Sequence, residues 1–214
     1  MLAVGLLTGT TIVRTQFWPD VVVVDGQRQG MITKPLIGWL NTHAEQLERA
    51  SDLPLHEWRD HASTWRISEG KLWLRKVEIW RDAGDSRRPG RPIRSDVIER
   101  LFPDSRNIVA SWYTGALVLP KNFGSEPRFY FDDAAFERYT VVWVRSGEVT
   151  RRLDLSREQF AAMRKERFAA WRGTESYHRN VTALGWKDPT GIDEYLFSKA
   201  MGTYLAVEPV RPVH

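Results

Sequence analysis

The residues with the most obvious chemical potential are His56-Glu57-Trp58-Arg59-Asp60-His61. At first sight they resemble the zinc-hydrolase helix signature H-E-x-x-H. That signature needs histidines four apart on one helical face, with a glutamate directly after the first. Here the histidines stand five apart, and Asp60 occupies the fourth position. The run that follows reads as a strand, so no metal is expected and a turn with a hydrogen-bonded histidine is the plainer account. His43, His178 and His214 have no spaced partners. Glu57, Asp60 and His61 are the cluster that could serve a hydrolase of unfamiliar motif, provided the fold gathers them in a cleft.

Other reaction classes find less support. The chain has no cysteine, which removes thiolate nucleophiles, disulfides and thiolate metal sites. Neither G-x-S-x-G nor a glycine-rich phosphate loop occurs. The carboxylate pairs Asp132-Asp133 and Asp82/Asp85 fall in loop-like stretches, where such residues usually form solvated turns. No cofactor is expected. A binding role then has to be read from surface residues.

The most informative of these is the segment from Arg81 to Asp96, RDAGDSRRPGRPIRSD, with two glycines, two prolines and five arginines. Arg87, Arg88, Arg91 and Arg94 sit between the chain breakers, which suits a docking loop for an acidic protein or a phosphate. A solvated connector is the alternative. With Trp186 and Tyr195 from the tail, these arginines make an aromatic-and-arginine patch of the kind that dominates protein interfaces. Arg164, Lys165 and Arg167 give a helix face a basic stripe. A nucleic-acid accessory role would use that stripe with the loop, but no recognised motif and no interleaved aromatics accompany the arginines.

The elements that must position these residues are mainly strands. The chain has 214 residues with 42% hydrophobic and 27% charged, ordinary for a globular protein, and a formal charge of +4 that permits an acidic partner. Ten tryptophans are the outlier and point to a sheet-rich core. The opening MLAVGLLTGTTIVR is too short to span a bilayer and lacks a basic n-region, so it reads as a first strand in a cytoplasmic protein. Val21 to Val24 read as a strand covered on both faces, turning at Asp25-Gly26 into Gln27 to Thr33. Pro35 opens a helical reading.

Trp58 to Trp80 reads as a hairpin around Glu69-Gly70, with Trp65, Ile67, Leu72, Leu74 and Val77 inward and Arg66, Lys71, Arg75 and Lys76 elsewhere. Ser95 is the expected cap of a short helix stopped by Pro103. Ile108 to Pro120 reads as a second hairpin turning at Thr114-Gly115, and Arg128 to Phe131 as a short strand. Tyr139 to Leu155 reads as a third hairpin turning at Ser146-Gly147. Ser156 then starts a helix with a Ser-x-x-Gln capping box that ends at Gly173. A helix over 192–200 and a last strand, TYLAVEP, follow. The fold class expected is α+β: an antiparallel sheet of successive hairpins with helices packed to one side. Residues 1–155 form the β-rich core domain and 156–214 a helical extension packed on it.

Several of these segments together resemble a family of small bacterial proteins known chiefly as uncharacterised. The residues are Trp58-Arg59-x5-Trp65-x-Ile67, Lys71-Leu72-x-Leu74, Leu101-Phe102-Pro103 and Ala110-x-Trp112-Tyr113-x-Gly115-x-Leu117-x-x-Pro120. The match runs from about Trp18 to Leu153 and departs at Asp60-His61, where the family usually has Gly-Tyr. The resemblance implies a compact bacterial cytoplasmic module of the immunity or accessory type that partners secreted toxins, with no catalytic residues to carry over. The expected function is therefore an immunity protein, monomer or homodimer, that occludes a cognate toxin with an acidic surface.

Overall fold

The computed structural model describes residues 18–43, 45–46, 61–81, 93–103, 107–122, 136–185 and 190–207. Within them lie nine strands of one sheet and six helices. The protein is α+β, with a mixed, mostly antiparallel sheet, as the alternation and turn signals predict. The expected first strand in 1–17, the strand over 128–131 and all of the 82–92 stretch of the arginine-rich loop lie outside the described residues.

β1 (Asp20–Val24) and β2 (Gln27–Met31) pair through the Asp25-Gly26 turn, both residues at positive φ. α1 (Ile37–Thr42) follows, shorter than the helix read from Pro35. β3 (His61–Ser68) and β4 (Lys71–Arg81) form the central hairpin around Glu69-Gly70. Strict alternation cannot send both Arg75 and Lys76 outward. The register shift that pairs Thr64 with Lys76 and Trp65 with Leu74 makes Arg75 the extra residue and returns Val77 to the core.

β5 (Ile93–Asp96) extends one edge of β4 and leads to α2 (Ile98–Leu101). Ser95 is in the strand; it is Asp96 whose carboxylate accepts the Ile98 N–H at 3.1 Å. The second expected hairpin does not form. β6 (Ile108–Val109) pairs with β4, and β7 (Gly115–Pro120) pairs with β8 (Arg138–Arg145). Between them the chain turns back on itself, with the Tyr113 N–H on Ala110 O at 2.8 Å, and a single short turn cannot serve two different partner strands.

β8 and β9 (Glu148–Ser156) make the third hairpin as expected. Its Gly147 has φ +84°, and a Cβ there would lie 3.0 Å from the Ala110 carbonyl, so both backbone and space require glycine. β9 runs straight into α3 (Arg157–Arg172), whose Ser156-Gln159 capping box is present in both directions. α4 (Glu175–Leu184) and α5 (Thr190–Lys199) follow. The last predicted strand is instead α6 (Met201–Tyr204), because Tyr204 and Leu205 are drawn fully into the helix–sheet core.

The strand order β2-β1-β3-β4-β9-β8-β7 bends until its two ends meet. The Ile32 N–H donates to Val118 O at 3.0 Å, and the Val118 N–H donates to Thr33 Oγ1 at 3.2 Å. The curled sheet thus has an inner and an outer face. The inner core joins Val22, Trp65, Leu72, Leu74 and Val77 to Leu117, Leu119, Val142 and Val144 from the far strands. α1 and α2 add Trp39, Leu40 and Leu101 to this inner cluster. The alternate residues Ala116, Val118, Tyr139, Val141 and Trp143 face outward and are covered by all four C-terminal helices.

β1 and β3 are the exception to antiparallel pairing, with Val21 opposite Thr64 and Val22 opposite Trp65. A fully buried Asp20 fixes that register: it accepts the Ser63 N–H at 3.1 Å and the Trp65 indole N–H at 2.9 Å. Both bonds are charge-assisted and shielded from water, where each is worth about 1.5–3 kcal/mol. Replacing Asp20 with Asn turns one acceptor oxygen into a donor facing a donor. D20N is expected to lower stability by about 2–4 kcal/mol, read as a lower urea midpoint at unchanged slope; a midpoint equal to wild type would show that the carboxylate is not the clamp.

Candidate functional site

The β8–β9 hairpin carries a second irregularity, and a cleft is built on it. Trp143 pairs with Arg151 while Val144 pairs with Val149, leaving Thr150 as an extra residue. Such a bulge re-aims neighbouring side chains and is common beside functional sites. Here the Thr150 hydroxyl donates to Trp143 O at 3.3 Å, and the Arg151 guanidinium carbon sits 5.2 Å from the Trp143 ring centroid. Trp143 is itself anchored, its indole N–H donating to Leu205 O at 2.8 Å.

The cleft next to this stack has a volume of about 110 Å³. Its wall is Thr114, Trp143, Val144, Arg145, Thr150, Arg151, Arg167 and Ala206, with no carboxylate among them. Arg145 ends β8 and is exposed; Arg167 comes from α3, is buried, and donates to Val207 O. Thr114 accepts the Ser146 N–H at 3.0 Å, which leaves its own hydroxyl proton as a further donor. Three guanidiniums and a hydroxyl around an aromatic wall can hold an oxyanion. The amphipathic strand pattern carries no hint of this, since Arg145 and Arg151 look like ordinary outward residues until the bulge brings them together. Within the sequence, the clue is only that arginines follow both arms of a turn rich in strand formers.

The expected site residues are scattered by comparison. Arg87, Arg88, Arg91 and Trp186 lie outside the described residues, as do Glu57 and Asp60. Arg94 stands on β5 and is ion-paired with the buried Glu78. Burial alone would raise the Glu78 carboxyl, but hydrogen bonds from Arg94 and Lys76 outweigh it and hold it below its ordinary value. Tyr195 is exposed on α5. The basic stripe of α3 is not a solvated face. Arg164 is buried, donates to the Tyr204 hydroxyl at 2.9 Å and to Phe197 O at 3.2 Å, and lies 4.2 Å over the Phe197 ring. Arg167 is likewise buried, and of the three only Lys165 is exposed. The reason is that α3 is covered by α5 and α6, so aliphatic stems of the arginines pack while their heads meet carbonyls and a phenol.

His61 is a buried residue at the start of β3, and its carbonyl accepts the Lys34 ammonium at 2.7 Å. Among the described residues no group of three or more metal-ligating side chains comes together. Nor, among them, is any helix long and apolar enough to cross a membrane.

Comparison with family models, curated proteins and solved structures finds no match to this chain.

Burial and then the Lys34 charge lower the His61 pKa from 6.5 to about 3. The folded protein keeps this imidazole neutral, whereas the unfolded chain binds a proton as pH falls below 6.5. The His61 contribution is complete above that pH and is lost progressively down to about pH 3. Its slope is about 1.4 kcal/mol per pH unit. Urea melts from pH 7 to pH 4.5 should show a shallower acid decline in H61Q than in wild type; identical declines would place the sensitivity elsewhere.

Proposed function

We propose that the chain is a binding protein, an immunity protein that neutralises a cognate antibacterial toxin in the bacterial cytoplasm by direct occlusion. The observation that carries this reading is the cleft of Arg145, Arg151 and Arg167, where positive groups converge with no carboxylate among the described residues of the wall. At about 110 Å³ it is well below the ~300 Å³ of the smaller pockets that enclose a free ligand. A site of this size suits one side chain of a large acidic partner. The resemblance read from the sequence is to small bacterial proteins known chiefly as uncharacterised. The residues that carry it, Trp65, Leu72, Leu74, Ala110 and Leu117, are buried and build the core rather than a partner surface. The segment of Arg87, Arg88, Arg91 and Arg94, with Trp186 and Tyr195, is a separate proposed contact for the partner, with Arg94 already ion-paired to Glu78. The protomer is monomeric or homodimeric.

Co-expression with the product of the adjacent reading frame tests this directly. The expected result is restored growth of cells poisoned by that product, together with a complex that survives gel filtration. A harmless neighbour, or one that never co-elutes, would sink the reading.

A further inference from the structure

Four arginines of the described residues meet a carboxylate within this protein. Arg94 meets Glu78, Arg152 meets Asp25 at 2.8 Å, Arg172 meets Asp193 at 3.2 Å and Arg179 meets Glu175 at 2.8 Å. Arg145 and Arg151 are among the exposed arginines with no carboxylate partner among the described residues, and what sets them apart is that both border the same cleft. Glu148 is the register partner of Arg145 across the hairpin yet forms no ion pair with it. Among the described residues, then, the two guanidiniums face the cleft without a carboxylate.

The display is also ordered in advance. An arginine ordinarily gives up considerable rotamer freedom when it is fixed in a complex. Here the Thr150 bulge and the Trp143 ring already constrain Arg151, and Trp143 is held in turn by Leu205 O. A guanidinium stacked on an aromatic face keeps its N–H edge available for a planar, two-oxygen acceptor. The Thr114 hydroxyl and the buried Arg167 complete a wall in which groups donate to, or attract, an anion.

We infer that this cleft receives a single carboxylate, an Asp or Glu side chain of a protein partner, gripped by the Arg151 and Arg145 guanidiniums. The inference deepens the binding reading above and rests on it for the nature of the partner. A carboxylate is favoured over a phosphodiester chain by what surrounds the cleft. Nucleic-acid surfaces extend positive charge along a track. On this hairpin the exposed Glu148 stands opposite Arg145, and Arg152, next along β9, pairs with Val142 on the other face of the strand and is ion-paired with Asp25. On α3, Arg164 and Arg167 are turned inward. The positive charge is a point, suited to one acidic side chain at the centre of an interface.

Fluorescence anisotropy of a labelled, end-blocked hexaglutamate peptide titrated with the full chain reads this site without knowledge of the toxin. Saturable binding is expected, with none to hexaglutamine. R145Q and R151Q should each weaken it about tenfold, a loss typical of one charge-assisted hydrogen bond. R151K should lose nearly as much, because an ammonium keeps the charge but not the planar fork. R179Q, an exposed arginine on α4 outside the cleft, should bind as wild type. Arg145 and Arg151 are both exposed, so the variants are expected to keep the wild-type melting temperature. Absent saturation, equal affinity in all variants, or full rescue by R151K would overturn the inference. So would tighter binding of a single-stranded oligonucleotide at the same salt, or displacement of the peptide by millimolar inorganic phosphate. If the peptide binds in the cleft while the neighbouring gene product does not, the carboxylate site stands and the immunity reading falls. The reverse outcome retains the immunity reading and removes the cleft from it.

Discussion

One buried carboxylate sets the geometry on which the rest of the molecule depends. Asp20 is fully enclosed, and its two oxygens hold the backbone of Ser63 and the indole of Trp65. An ionised group out of water is tolerable only when its lone pairs are satisfied, so this arrangement admits one register between β1 and β3. A slip of one residue would strand the charge and also reverse every side chain of β1 between the faces of the sheet. Parallel neighbours are distant in the chain and have no tight turn to align them, so such a clamp replaces what Glu69-Gly70 does for β3 and β4. The same carboxylate, after desolvation, holds the Tyr113 phenol above its ordinary range. Tyr113 in turn donates to Ala116 O at the start of β7. The polar interior thus ties both ends of the curled sheet.

Closure follows from this alignment. With β1 and β2 held against β3, the chain just after β2 reaches β7 and leaves an inner core bounded by both halves of the sheet. Strands β7 and β8 are then buried on both faces: Leu117 and Val142 inward, Val118 and Val141 outward. The outer face demands a cover, which α3 to α6 supply with Phe160, Phe168, Trp171, Leu196 and Tyr204. The wall of the cleft joins Ala206, just after α6, to the bulge at Thr150.

Local signals were legible wherever one residue type decides a conformation. Asp25-Gly26, Glu69-Gly70 and Ser146-Gly147 were readable turns because only small or αL-tolerant residues take positive φ at low cost. Ser156 and Gln159 were readable as a helix start because their side chains satisfy each other's backbone. Ile108 to Pro120 misled for the opposite reason. Its two runs have strand composition, and nothing in composition says that the first should join β4 and the second β8. TYLAVEP misled in the same way, since Tyr204 and Leu205 suit a strand or a buried helical turn equally well.

The sequence by itself determined the glycine-containing turns that reverse the chain, the start of the long helix at Ser156, that an α+β protein results, and that cysteine chemistry is excluded. Those properties depend on neighbours within a few residues, and the chain carries them in any context. Only the tertiary structure decided which strands pair, that Asp20 is a clamp, that Arg164 and Arg167 face inward, and that Arg145 and Arg151 border one cleft. A charge has no meaning for binding until its distance from every other charge is known. Those distances arise from contacts far apart in the chain.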